Sequence, residues 1–278
     1  MKENIELARN REFGDIISDT FALFRQNFKP LLKAYFAICG LFILTNIIIS
    51  AVINDSHQDS SLNSLSGLVE LLFTFINYTA LILTTQAYYV LYKEKANQPP
   101  DLLEVWGYFR YYFFRVIGSQ FLLAILVIVG GFLCFLPGIY LAVVFSLVTP
   151  IMVSENGNLQ YSFNKAFKII KGNWWFTFGV ILLISIIVIM LFLVFFVLPF
   201  IFYGSANWLS GKDLSMFAGI LQSVVVNLGQ VLWILPYTAL MLVYYALTEE
   251  KEGNSLMDRI SSFGKNSRGA DQISSEQY

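Results

Sequence analysis

Long apolar runs alternate with short polar connections along this chain, and the runs decide the architecture. A helix that crosses a bilayer needs about 20 mainly apolar residues, because each adds ~1.5 Å against a hydrocarbon core of ~30 Å. Residues 31–53, 68–92, 116–136, 139–153, 174–198 and 214–247 meet that pattern. The fourth stretch is short and holds Pro150, and Pro137-Gly138 separates it from the third. Residues 116–153 are too long for one crossing, so this pair reads as a tight helical hairpin turning at Pro137-Gly138. The last stretch exceeds a single crossing. It can tilt, kink at Pro236, or begin with a turn on the surface. The predicted fold is all-α, a polytopic membrane protein with six transmembrane helices. Residues 1–253 form one membrane domain, followed by a tail over 254–278.

Between the runs the periodicity changes. Residues 13–28 carry Phe13, Ile16, Ile17, Phe21, Phe24 and Phe28 on one stripe, with Arg11, Glu12, Asp15, Asp19 and Arg25 largely off it. Residues 101–114 repeat the pattern, with Asp101 as N-cap and Leu102, Val105, Trp106, Phe109 and Phe113 on the stripe. Residues 158–172 do so again, with Asn158 as N-cap and Leu159, Phe163, Phe167 and Ile170. Apolar positions three and four apart, opposite a charged face, predict amphipathic helices lying in the interface on the cytoplasmic side. A fourth, weaker stripe is Leu256, Met257, Ile260 and Phe263, capped by Asn254 or Ser255, and the tail beyond Gly264 is expected to be disordered.

The ends of the three stripes align. Phe21-Ala-Leu-Phe24-Arg25-Gln-Asn27-Phe28 matches Trp106-Gly-Tyr-Phe109-Arg110-Tyr-Tyr112-Phe113 and Phe167-Lys-Ile-Ile170-Lys171-Gly-Asn173-Trp174. Each reads aromatic, two residues, large apolar, basic, one residue, polar or Tyr, aromatic, and each leads into a span. The basic positions stand 85 and 61 residues apart, so the repeat has no fixed period. Aromatic rings suit the headgroup level and Arg or Lys suits anionic phosphate. Arg25, Phe28, Arg110, Phe113, Lys171 and Trp174 are therefore the candidate contacts to lipid or a partner.

Composition agrees with the runs. Of 278 residues 56% are apolar and 13% charged, with a mean hydropathy of +0.63. That excludes a disordered chain and argues against a soluble enzyme. A net charge of −1 without a basic field excludes nucleic acid as partner. The charge is unevenly placed. Lys2, Arg9, Arg11, Arg25, Lys29 and Lys33 precede or open the first span, and loop 54–67 holds no basic residue. Lys93, Lys95, Arg110 and Arg115 follow the second span, and none sits at Pro137-Gly138. Lys165, Lys168 and Lys171 follow the fourth, only Lys212 follows the fifth, and Lys251, Arg259, Lys265 and Arg268 follow the sixth. Seventeen of the 18 basic residues thus fall on one side, which the positive-inside rule makes cytoplasmic. The expected location is the cytoplasmic membrane, multi-pass, with both termini inside. The first 30 residues lack the apolar core of a signal peptide, so the first span is expected to direct insertion.

Candidate chemistry is sparse. Cys39 and Cys134 read as small packing residues at different depths, and His57, the single histidine, as a solvated loop residue. Glu70 falls in the outer turn of the second span and reads as an interface carboxylate. Asn46, Asn77, Gln86, Gln120, Gln222, Asn227 and Gln230 lie deeper, where amides tie helices together. Asn77, Asn227 and Gln230 form the candidate polar membrane centre, since each falls near mid-span. Gly130-Gly131 permits close helix contact. No phosphate loop, metal set, paired acids at depth or nucleophile elbow appears, so no catalytic residue, cofactor site or metal site is expected.

Three landmarks carry a family resemblance. They are the stripe from Phe13 to Phe28 followed by Lys29-Pro30-Leu31-Leu32, then Pro150-Ile-Met-Val-Ser-Glu155-Asn-Gly with Ala166-Phe-Lys-Ile-Ile-Lys-Gly-Asn-Trp-Trp175, and the exit Tyr244-Tyr-Ala-Leu-Thr-Glu-Glu-Lys-Glu-Gly253. Together, over most of residues 13–253, they resemble the bacterial six-span proteins related to the membrane domain of glycerophosphoryl diester phosphodiesterase. The exit departs from that group at Ala246, Thr248 and Glu250, where the group carries an acidic residue and more arginines. The resemblance implies the six-span topology. It also implies no enzymatic role here, because the family's chemistry belongs to a separate soluble domain, and the residues after Gly253 are not expected to form one.

The reading that follows is a non-catalytic protein whose inner face organises membrane lipids or a partner, either another membrane protein or a second copy of itself. The alternative is a transporter or channel for a small uncharged or amphipathic solute passing Asn77, Asn227 and Gln230. A reporter fused after Tyr278 is expected to read as cytoplasmic, and an external reading would overturn the topology.

Overall fold

The computed structural model describes residues 5–55, 63–210, 224–253 and 260. His57, Lys212, residues 214–223 of the last predicted span, and the tail stripe apart from Ile260 lie outside the described residues. Among the described residues every regular element is helical. The α-helices are α1 (Phe13–Asp55), α2 (Asn63–Glu94), α3 (Leu102–Leu133), α4 (Phe135–Ser146), α5 (Val148–Ser154), α6 (Leu159–Ile170), α7 (Trp174–Ser210) and α8 (Ile234–Glu252). A 3₁₀ turn, Gln230–Trp233, precedes α8. Among the described residues six segments are long and apolar enough to cross a membrane: Phe13–Ile49, Gly67–Glu94, Leu102–Leu133, Phe135–Ser154, Trp174–Val194 and Val224–Glu252. The all-α polytopic fold predicted from the runs is the fold observed.

Two of the three predicted interfacial helices are not separate elements. α1 runs unbroken from Phe13 through Pro30, and α3 runs unbroken from Leu102. The reason is a continuous packing seam. In α1 the buried positions are Ile16, Thr20, Leu23, Asn27, Leu31, Tyr35 and Ile38, and in α3 they are Val105, Phe109, Tyr112, Val116, Ser119 and Leu123. Steps of three and four residues keep each seam on one face across the predicted junction, so nothing bends the chain there. The third helix, α6, is separate, and one residue explains it. Where the repeat has Gln26 and Tyr111 after its basic position, this copy has Gly172, with φ of 90°. Glycine takes that left-handed backbone without steric cost, and the helix ends there.

The packing face of α1 also differs from the predicted stripe. Phe13, Phe21 and Phe28 are 39%, 37% and 44% exposed, while Thr20 and Asn27 are buried. Turned inward, Asn27 accepts from Tyr88 OH of α2 at 2.9 Å, while Thr20 donates to Ile16 O and Asn27 to Leu23 O within α1 itself. Arg11, expected on the charged outer face, is buried as well. It holds the segment before α1 against the bundle, donating to Leu7 O at 2.6 Å, Asp19 Oδ2 at 2.9 Å and Glu6 O.

The α3–α4 hairpin turns at Cys134, not at Pro137-Gly138. Cys134 is extended and exposed, while Pro137 and Gly138 sit in the first turn of α4. Proline is tolerated there because first-turn N–H groups have no intrahelical partner. Gly138 is used for close approach, since a Cβ on it would lie 2.6 Å from Gly131 Cα. Cys39, by contrast, is buried with Sγ 3.5 Å from Thr84 Oγ1. In the last span the break falls at Gln230–Trp233, ahead of Pro236, whose ring nitrogen cannot bond back to Leu232 O.

α8 is the core helix. In the apolar 18-residue stretch of Val224–Glu252, 78% of the residues are buried, against 22% in the corresponding stretches of Leu102–Leu133 and Trp174–Val194. It packs on α1, α2, α5, α6 and α7, which fits a helix apolar on all sides. α6 runs back along α4, with Phe163 and Phe167 against Phe145 and Trp174 stacked on Tyr140 at 5.8 Å.

Replacing Gly138 by Ala sets a methyl against backbone and is expected to cost about 1–3 kcal/mol, the usual scale of overpacking. Gly131→Ala has open space at its Cβ and is expected to be neutral. Thermal unfolding of both variants in detergent checks the contrast.

Candidate functional site

The repeat places its residues by helical geometry. A helix turns 100° per residue, so positions two apart face nearly opposite ways. Arg25 and Arg110 are exposed, while Asn27 and Tyr112, two residues on, are buried. Asn27 Oδ1 accepts from Tyr88 OH at 2.9 Å. In the third copy Lys171 is exposed, and Asn173 donates to Glu250 at 2.7 Å. The basic group points out in each copy and its polar neighbour is tied to the bundle in the first and third. The final aromatics behave less uniformly. Phe28 is open on its outer side, whereas Phe113 stacks on Phe42 at 5.9 Å and Trp174 stacks between Tyr140 and Phe178.

The candidate polar centre does come together. Asn77 of α2 donates to Gln230 Oε1 at 2.7 Å, and Gln230 Nε2 lies 3.5 Å from Asn227 Oδ1. Asn46 of α1 joins them, donating to Asn227 Oδ1 at 3.2 Å. All four are buried. This knot joins the first, second and last spans through hydrogen-bonded amides, the usual polar tie in a membrane bundle, with Asn77 Oδ1 left unbonded. A similar tie links Gln120 to Thr149 at 2.6 Å. Glu70 is half-buried in α2.

A third constellation was not legible as a site in the sequence. Glu155 closes α5, Tyr161 and Lys165 lie on α6, and Tyr244 and Glu252 lie on α8. Lys165 Nζ sits 2.9 Å from Glu155 Oε1 and 2.8 Å from Glu252 Oε1. Tyr161 OH and Tyr244 OH each donate to Glu155 at 2.6 Å. Burial pushes the Glu155 carboxyl up, but the hydrogen bonds from Tyr161, Tyr244 and Lys165 outweigh it and hold its pKa below the usual value. Burial likewise lowers Lys165, and Glu252 and Glu155 reverse it, leaving the ammonium with a raised pKa. Beside this cluster a cavity of about 450 Å³ opens between α2, α5, α6 and α8, lined among others by Lys93, Glu94, Glu155, Lys165, Thr248 and Glu252. The sequence signal is Tyr244, Thr248 and Glu252 at four-residue spacing, a polar stripe down one face of an otherwise apolar helix.

No family model matches this chain, and no curated protein or solved structure matches it. Among the described residues no three His, Cys, Asp or Glu side chains gather in a group that could hold a metal ion.

The ion cluster sets a pH window. A lowered carboxyl pKa gives stability that is complete above the ordinary Glu value near ~4.3 and lost as pH falls through the lowered one. A raised lysine pKa gives stability that is complete below ~10.4 and lost as pH rises through the raised one. Glu155→Gln is expected to cost about 1–2 kcal/mol at neutral pH, between exposed and buried pairs, and to remove most of the acid-side slope. Unfolding temperature against pH for the two proteins checks both.

Proposed function

We propose that this chain is a non-catalytic protein of the cytoplasmic membrane, with both termini inside, that gathers anionic lipid headgroups at its inner face. The observation that carries the reading is the register of the repeat. Arg25, Arg110 and Lys171 are all exposed at equivalent positions. In the first and third copies the neighbouring Asn27 and Asn173 are hydrogen-bonded into the bundle, which holds the backbone beneath the basic group. Each basic residue of this kind near an anionic surface is worth about 1 kcal/mol. The orientation rests on the side that collects seventeen of the 18 basic residues. The meeting of Glu155, Lys165 and Glu252 accords with it, since the connections after the fourth and sixth spans then share one side.

A second reading, passage of a small uncharged solute past Asn77, Asn227 and Gln230, is favoured by one atom. Asn77 Oδ1 is buried with no hydrogen-bond partner. The other amide contacts read as ties between spans.

The combined variant Arg25→Gln, Arg110→Gln, Lys171→Gln separates the readings. Under the first, anionic lipid retention in mild detergent falls by about two orders of magnitude in affinity, at ~1 kcal/mol per residue. Native mass spectrometry of wild type and variant, with phosphatidylglycerol against phosphatidylcholine, reads it. Unchanged retention, together with liposome solute flux that Asn77→Ala abolishes, would establish the second reading instead.

A further inference from the structure

The cavity between α2, α5, α6 and α8 has no part in the lipid-surface reading, yet it carries the marks of a binding site. Part of its wall is committed framework. Lys165 lies between Glu155 and Glu252, and Glu155 also accepts from Tyr244. Another part is uncommitted. Thr248 lines the cavity, is only 8% exposed, and its hydroxyl has no hydrogen-bond partner. Gln86 precedes Val90 and Lys93 of the cavity wall by four and seven residues, so it continues their face of α2 one turn further along. It is fully buried, and both of its amide atoms lack a partner. Buried polar groups are almost always bonded, to protein, water or ligand.

Charge indicates what would bind. The ionisable groups of the wall with fixed charge are Lys93, Lys165, Glu94, Glu155 and Glu252, two cations against three anions. The surplus is negative, and Glu94 is exposed and accepts from Tyr108 OH at 2.9 Å. Tyr245, also in the wall, already holds an ammonium on its ring, the Lys93 Nζ at 4.5 Å from the centroid. That face is taken by Lys93, which leaves the carboxylates as the attraction for an incoming ammonium. The volume of about 450 Å³ falls in the range of small-molecule sites.

We propose that this cavity binds a small molecule bearing a primary ammonium next to a hydroxyl or ester oxygen. The ammonium is drawn by the surplus carboxylate charge, to which the exposed Glu94 contributes. The neighbouring oxygen and the Thr248 hydroxyl complete each other's hydrogen bonds. Free ethanolamine and the headgroup of phosphatidylethanolamine share this chemistry, and the test separates them.

Full-length protein in mild detergent is titrated calorimetrically with ethanolamine and with ethylene glycol as neutral probe. In parallel, native mass spectrometry compares retention of phosphatidylethanolamine and phosphatidylglycerol. Ethanolamine binding with no ethylene glycol binding identifies a free solute. Phosphatidylethanolamine retention that persists in the Arg25→Gln, Arg110→Gln, Lys171→Gln variant, where phosphatidylglycerol retention falls, without ethanolamine binding identifies a headgroup. In either case Glu94→Gln is expected to weaken the interaction by about tenfold, the scale of a charge-assisted contact. Thr248→Val, which removes an unbonded hydroxyl while keeping the shape, is expected to weaken it by about fivefold with no loss of unfolding temperature in the absence of ligand. Binding of neither ammonium compound, equal binding of ethylene glycol, or variants that bind as wild type does would overturn the proposal.

Discussion

In hydrocarbon a polar side chain has no solvent to turn to, so it must find its partner inside the bundle, and most of this structure follows from that constraint. It decides which face of each helix packs. α1 buries Thr20 and Asn27 and leaves Phe21 and Phe28 outside, the reverse of what an aqueous surface would select. It also decides which helices meet. Lipid tails are as apolar as leucine, so apolar burial alone does not bring spans together, and close packing and hydrogen bonds must do it. The amides of Asn46, Asn77, Asn227 and Gln230 gather the first, second and last spans at one level. Tyr88 with Asn27, and Tyr89 with Thr238 at 3.2 Å, continue the same bonding along α2 toward the ionic end of the bundle.

Close packing is the other half of helix association, and here it is set by a few glycines. Gly138 lets the α4 backbone touch Gly131, which closes the α3–α4 hairpin. The turn before α6 holds Gly157, where a Cβ would lie 2.6 Å from the Tyr161 ring, and this turn folds the short helix back along α4, where Phe145, Phe163 and Phe167 form one ring cluster. That reversal carries Lys165 to Glu155 and Glu252, and it forms one wall of the cavity. The ionic cluster therefore depends on that turn, with Asn156 at φ of 49°, while Gly172 ends α6 at its other end.

The number of crossings, the hairpin pairing of the third and fourth, the Asn158 cap and the all-α class were legible in the sequence. Each depends on composition within a short window or on one side chain bonding a nearby N–H, as Asn158 does with Tyr161 N at 2.8 Å. The meeting of Asn77, Asn227 and Gln230 was legible only as three amides near mid-span. Their facing directions depend on how each helix is rotated about its own axis, which no local pattern records. The cluster around Glu155 was less legible still, because its members come from three helices far apart in the chain.

The chain's own order of residues determined what lies in lipid and where the charge collects, since both follow from hydropathy summed over about 20 positions. The packing of the helices decided the rest. It joined two of the three predicted surface stripes to their spans through continuous seams, moved the hairpin turn to Cys134, and drew Glu155, Lys165, Thr248 and Glu252 around one cavity. A helix fixes the spacing of its side chains but not the direction it turns them, and that direction is set only when neighbouring helices compete for the same polar groups.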